Sequence, residues 1–173
     1  MKEKLFLIIL FVNVFVSCNK EKPKAVAKEK FPVTEIKSVN YNQLKPLLEK
    51  QNDTIYVVNF WATWCAPCVK ELPYFEKLGA AYSSKKVKVL LVSLDFPKQV
   101  EKKLIPFINE NKIQSEVVLL DDVNEDIWIQ AIDKNWSGAI PATLIYHKNQ
   151  RKFYEQTFDY QLLENELIQF LNP

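Results

Sequence analysis

Glycine is almost missing: only Gly79 and Gly138 occur in 173 residues. Phosphate-cradling loops need glycine so that the backbone can approach the ligand, so nucleotide-binding loops of that kind are excluded. Histidine occurs once, at position 147. Structural zinc takes four protein ligands and catalytic zinc three. A close cysteine pair plus His147, which is expected at a strand end beside a turn, does not make such a set. Charge of one sign is also lacking, with 23 Lys and Arg against 21 Asp and Glu and a net charge of +2. The two signs are interleaved, so nothing favours nucleic acid as a partner. No internal repeat is found, and no apolar run reaches the ~20 residues of a membrane-spanning helix. What is present is 48% hydrophobic and 13% aromatic residues. That suits one globular domain with a sizeable core.

The first residues depart from this composition. Lys2 and Lys4 precede the run "LFLIILFVNVFV" at 5–16, apolar except for Asn13, and "SC" follows. A basic start, a short apolar stretch and a small residue form a secretory signal, expected over residues 1–17. Ser17 before Cys18 resembles a bacterial lipobox, in which the cysteine is lipidated and becomes the new N-terminus. Phe15 stands where that motif usually has Leu, Val or Ile. The alternative is an ordinary signal peptide with an incidental cysteine. Parity favours lipidation. The chain has three cysteines, and an odd one in an exported protein needs an explanation. With Cys18 lipidated, one pair remains, outside the reducing cytosol. The polar stretch "NKEKPKAVAKEK" at 19–30 reads as part of a flexible tether, 18–33. The folded domain is expected over 34–173.

Within the domain, Tyr41, Leu44, Leu47 and Leu48 share one helical face, with Asn40 as cap and Pro46 as a kink. Apolar, β-branched runs predict strands at 54–60, 86–95, 116–120 and 142–147, and "RKFYEQTF" predicts another at 151–158. Asn149 is expected to take the left-handed position in the turn between the last two. Helical spacing follows from about Cys65 to Tyr82, with Pro73 inside it. A second helical stretch contains Val100, Leu104, Phe107 and Ile108 and is interrupted by Pro106. A short helix is expected after Asn124 as its cap, and a last one carries Leu163, Leu167, Phe170 and Leu171 on one face. Strands alternating with helices and then a closing hairpin predict an α/β fold. It has a mixed central sheet with helices on both faces.

Cys65 and Cys68 follow a buried strand and open a helix. Unpaired N–H groups and the helix dipole favour thiolate at the first cysteine. The second lies about one turn on, within disulfide reach. Pro67 fits the first turn, where no N–H is needed. A purely structural bridge is a weak alternative, because so short a loop constrains the unfolded chain little.

The run "VNFWATWCAPCVKELP" at 58–73 resembles the active site of the thioredoxin superfamily. It is most similar to the TlpA/ResA-type branch of exported, membrane-anchored thiol–disulfide oxidoreductases. "GAIPATLIY" at 138–146 is similar to the family's cis-proline loop and following strand, with Pro141 as the matching proline. The resemblance covers about 35–172 and implies a thioredoxin-like fold with an inserted helix and strand at 96–120. It implies Cys65 as nucleophile and Cys68 as resolving thiol. Glu71 stands where this branch carries an acid near the thiols, whereas thioredoxin's own buried acid is replaced by Asn59. A helix-surface role is the alternative for Glu71. Trp64, Ala66, Pro67 and Ile140 would face substrate, while Phe60 and Trp61 would pack beneath, and Trp128 and Trp136 would serve the core or its rim.

The expected function is disulfide exchange as a reductant of exported protein disulfides, with apocytochrome c thiols as one compatible substrate. No cofactor is needed. Electrons would come from a membrane donor, and the protein would act as a monomeric lipoprotein on the periplasmic side of a bacterial membrane. One alternative is a thioredoxin-fold peroxidase, although Ala62 and Val58 occupy the positions where that chemistry wants Thr or Ser and Pro. Another is a copper or haem carrier, although Val69 follows Cys68 where c-type haem attachment needs histidine.

Overall fold

The fold is described from a computed structural model over residues 32–171. The expected signal, Cys18 and all of the tether but its last two residues lie outside this range. Six strands form one sheet in the order β1-β4-β3-β2-β5-β6. In chain order they are β1 (Lys37–Val39), β2 (Ile55–Trp61), β3 (Val87–Ser93), β4 (Glu116–Leu120), β5 (Ala142–His147) and β6 (Gln150–Tyr154). β1, β4, β3 and β2 run parallel, and β5 and β6 run antiparallel to their neighbours. The α-helices are α1 (Tyr41–Leu44), α2 (Ala66–Tyr82), α3 (Ile105–Glu110), α4 (Glu125–Ile132) and α5 (Tyr160–Leu171).

β2 is buried along its whole length, which its apolar sequence requires. Its side chains alternate between two cores. Ile55, Val57 and Trp61 join Cys65, Cys68, Phe75, Leu91, Leu167 and Phe170 on one face. Tyr56, Val58 and Phe60 join Trp128, Trp136, Leu144 and Tyr146 on the other. Trp61 and Phe60, adjacent in the chain, therefore support the site from opposite faces of the sheet. Trp128 and Trp136 are core residues, as expected.

Several expectations change. β1 has only three residues and too little periodicity to read; its pairing with β4 creates it. Asn40 caps α1 in a capping box with Gln43, and the chain continues past Pro46 as a 3₁₀ turn, Lys45–Leu47. Asn124 stands at the α4 cap position, but its side chain donates to Asp122 instead of capping the helix. The Val100–Leu104 stretch forms a π-type turn, and Pro106 falls in the first turn of α3, where its missing N–H costs nothing. The left-handed turn residue is Lys148 (φ 52°), not Asn149. β6 ends at Tyr154, four residues early, because its partner β5 begins at Ala142, just after the cis Ile140–Pro141 peptide.

Candidate active site

The C-terminal end of β2 delivers the chain into the site. Cys65 caps α2 in an extended conformation, its sulfur accepting from the Cys68 N–H at 3.3 Å. Ala66 and Pro67 make the first helical turn and are exposed. Cys65 and Cys68 are joined in a disulfide, their Cα atoms 5.3 Å apart. Cys65 is 5% exposed and Cys68 not at all, so Cys65 is the sulfur nearer to solvent. Trp64 projects outward beside it.

The start of β5 closes the other side. The Ile140–Pro141 peptide is cis, and the Ile140 carbonyl oxygen lies 3.8 Å from the Cys65 sulfur. Three groups hold this loop, of which Glu155 is the one absent from the sequence reading. Trp136 donates its ring N–H to the Ala139 carbonyl at 2.8 Å and packs on Phe60 and Phe153. The Glu155 carboxylate accepts from the Ser137 N–H at 2.8 Å and from its hydroxyl. Gly138 adopts φ +93°, a conformation that side chains resist.

A buried aspartate, Asp95, anchors the approach to Cys65. Its carboxylate accepts from the Thr63 N–H at 3.1 Å, the Thr63 hydroxyl and the Ser93 hydroxyl. An aspartate directly after a buried strand, in "VSLD", was the available signal. Its partner lies 32 residues away, so the local sequence does not show its role.

Glu71 is not a helix-surface residue. It is buried one turn beyond Cys68 on α2. Its carboxylate accepts from the Asn59 amide at 2.9 Å and from the Phe158 N–H at 2.8 Å. Burial pushes its pKa up to about 7 against the opposing pull of those two hydrogen bonds. Asn59 thus serves Glu71 as a donor, and its own side-chain oxygen has no partner among the described residues. A cleft of about 370 Å³ lined by Pro67, Lys70, Glu71, Tyr74 and Phe158 lies against this carboxyl. A larger cleft, about 700 Å³, lies between α2 and α3 and includes neither cysteine.

His147 is half-buried at the end of β5, with the cysteine pair on a different element. Among the described residues no three His, Cys, Asp or Glu side chains are grouped to hold a metal ion. No helix among them is long and apolar enough to cross a membrane.

Known proteins resemble the chain in sequence and fold. The chain is 30% identical over 92 residues to the thiol-disulfide oxidoreductase ResA of Geobacillus thermodenitrificans, covering 53% of this chain and 48% of that protein. It is 38% identical over 63 residues to the sporulation thiol-disulfide oxidoreductase A of Bacillus subtilis, 36% of this chain and 38% of the relative. The matched stretch thus spans about half or less of these curated relatives. A thioredoxin-family thiol:disulfide interchange protein from Chlorobium tepidum TLS has the same fold, with a TM-score of 0.58 and 18% identity. That match covers 69% of this chain and 81% of the other. The sequence model of the AhpC/TSA family matches residues 27–151, well over half of the chain, and the protein accordingly belongs to that family within the thioredoxin superfamily.

Proposed function

We propose that the protein is an exported thiol–disulfide oxidoreductase that reduces disulfides in other exported proteins. The observation that carries this reading is the Cys65–Cys68 disulfide at the start of α2, with the Cys65 sulfur 3.8 Å from the Ile140 carbonyl oxygen. The names of the relatives, thiol-disulfide oxidoreductases, support the same reaction class.

The reduced Cys65 thiolate attacks one sulfur of a substrate disulfide. A Cys65–substrate bond forms, the substrate's own S–S bond breaks, and the departing thiolate takes up a proton. Cys68 then loses its proton and attacks the Cys65 sulfur. The Cys65–Cys68 disulfide forms and the second substrate thiol leaves. Two electrons have passed from the dithiol to the substrate, and a membrane dithiol donor restores the starting state. The steps require no cofactor, and one copy of the chain suffices.

Each proposed role has physical support. The Cys68 N–H and the α2 dipole stabilise negative charge on the Cys65 sulfur. Glu71, with its pKa pushed up to about 7, is suited to accept the Cys68 proton near neutral pH. Pro141 has no N–H to compete for the thiolate, so the Ile140 backbone is left to pair with an extended substrate segment. Trp64, Ala66 and Pro67 form the exposed substrate face around Cys65.

The Ser17–Cys18 junction supports lipidation at Cys18 after removal of 1–17, a tether over 18–33 and a domain over 34–173 on the periplasmic side. The disulfide of oxidised apocytochrome c, reduced to its thiols, is one compatible substrate class. The peroxidase reading is weaker despite the family's name. Ala62 has no hydroxyl to bind a peroxide oxygen and Val58 is not proline. Mixed-disulfide trapping tests the assignment. Cys68→Ser, expressed with its export signal, should accumulate protein adducts released by reductant, and Cys65→Ser should accumulate none. Adducts on Cys65→Ser alone would reverse the roles of the thiols, and none on either variant would remove the exchange reading.

A further inference from the structure

Three parallel strands end together at the end of the sheet that carries the disulfide. Trp61, the last residue of β2, pairs with Ser93, the last of β3, which pairs with Leu119 near the end of β4. Three residues beyond each strand stands an exposed apolar side chain. Trp64 follows β2 and is 56% exposed, Phe96 follows β3 and is 65% exposed, and Val123 follows β4 and is 91% exposed. Ile127, 66% exposed, extends the row by one turn of α4. The next residue, Trp128, turns inward to the core. Scattered surface apolar residues are normal, but these four follow adjacent strand ends on the side of the sheet that carries the reactive sulfur.

The row is fixed in place. Trp64 and Phe96 stack, their ring centroids 6.5 Å apart. The Leu94 N–H donates to the Trp61 carbonyl at 2.7 Å, and Asp95 holds Thr63, so the two loops move as one. The Trp128 ring N–H donates to the Asp122 carbonyl, and the Asp122 carboxylate accepts from the Tyr41 and Asn124 N–H groups. Such preorganisation lowers the ordering cost of binding.

We infer that the substrate-docking surface runs from Cys65 across the ends of β3 and β4, over Trp64, Phe96, Val123 and Ile127, and that it takes an extended apolar polypeptide segment with basic residues at its far end. This rests on the exchange reaction proposed above. Adjacent strands lie ~4.8 Å apart, so the path from β2 to β4 is ~10 Å, or about three extended residues at ~3.3 Å each. Asp121, Glu125 and Asp126 stand exposed at the β4 end and form no ion pair among the described residues, while Lys98 lies nearer Phe96. Carboxylates at that end favour Lys or Arg there and penalise Asp or Glu. The Ile140 backbone lies on the β5 side of Cys65. The nucleophile therefore sits between a backbone-reading loop and an apolar rim, and the chain partner is gripped on both sides.

The test uses disulfide-linked homodimers of a nonapeptide with a central cysteine. The apolar form has phenylalanine beside the cysteine, leucine three residues away and lysine at each end. One comparison form has serine at the apolar positions, and another has glutamate at the ends. Reduced soluble domain, residues 19–173, is mixed with each, and with bis(hydroxyethyl) disulfide as a reference. One dimer oxidises one protein dithiol and yields two peptide thiols, which are counted by chromatography. The apolar, lysine-ended dimer should react about tenfold faster than the serine form and several-fold faster than the glutamate form. In Phe96→Ser/Val123→Ser/Ile127→Ser, whose altered side chains are all exposed, the ratio of apolar-dimer rate to reference rate should fall about tenfold. Equal rates for the apolar and serine forms, or an unchanged ratio in the triple variant, would overturn the rim. Equal rates for lysine and glutamate ends would overturn the charge preference. No reaction even with the reference disulfide would remove the exchange reading itself, and the rim with it.

Discussion

Replacing Glu71 by Gln isolates the consequence of one buried carboxyl. Its pKa is raised from 4.5 to about 7, so folding favours the protonated form. The sign follows from that. The stability contribution is fully present below pH 4.5, declines as pH rises towards 7, and is flat above. The upper bound is ~3 kcal/mol, at 1.36 kcal/mol for each pH unit between the two values. The cleft against Glu71 admits water, so ~2 kcal/mol is the working figure. The new amide fits the site. Its oxygen can accept from the Phe158 N–H, and its NH₂ can donate to the unpartnered Asn59 oxygen once the Asn59 amide turns over. Glu71→Gln should then match the wild type near pH 5 and exceed it by ~2 kcal/mol near pH 8.5. Urea unfolding of both oxidised proteins from pH 5 to 9 measures this, because the disulfide removes thiol titration and the difference cancels other groups. Parallel curves over that range would refute the reasoning. In the reduced protein the same variant should lower the apparent pKa of Cys65, since a nearby carboxylate disfavours thiolate.

Cys18→Ala should shift the exported protein from the membrane fraction to the soluble envelope fraction; unchanged fractionation would remove the anchor. Asp95→Ala strips the Thr63 N–H of its acceptor and should cost ~1–3 kcal/mol in denaturant unfolding, with a change in Trp64 emission as the loop loosens. Gly138→Ala forces a side chain into φ +93° and places a Cβ 3.0 Å from Ile129. A loss of ~1–3 kcal/mol is expected by the same measurement, and a neutral result would mean that the loop relaxes freely.

Elements whose cause lies within their own residues were legible in the sequence. The runs at 116–120 and 142–147 form strands with the expected bounds, because continuous apolar, β-branched segments have nowhere to go but a buried sheet. The helix from Ala66 to Tyr82 was legible for a similar reason, and it runs through Pro73 because the rest of its apolar face stays packed. The cysteine spacing and the "GAIP" loop pointed to two sides of one site, since their chemistry is written in consecutive residues. What stayed hidden is non-local. Asp95 depends on Thr63, Trp136 on Ala139 across a bend, and Glu155 on a serine 18 residues earlier. The exposed row of Trp64, Phe96 and Val123 is likewise invisible in sequence, because it exists only once three parallel strands end in register.

One hydrogen bond joins two segments far apart in the sequence. The strand expected to reach residue 158 stops at Tyr154, and Glu71 is buried in the interior, which removes the alternative of a helix-surface role. The hydrogen bond from the Phe158 N–H to Glu71 ties the segment after β6 to α2. A backbone N–H has one donor to give, and Phe158 gives it to a carboxylate on α2. The bond is favourable because a buried carboxyl without donors would cost several kcal/mol. Phe158 is itself buried beside α5, so the segment after β6 is pinned at both its backbone and its ring. The carboxyl one turn beyond Cys68 is therefore held by Asn59 on the central strand and by Phe158 in the approach to the last helix. A proton added to or taken from Glu71 changes what both partners must do, which adds a polar link to the apolar packing that already joins the cysteines to the last helix.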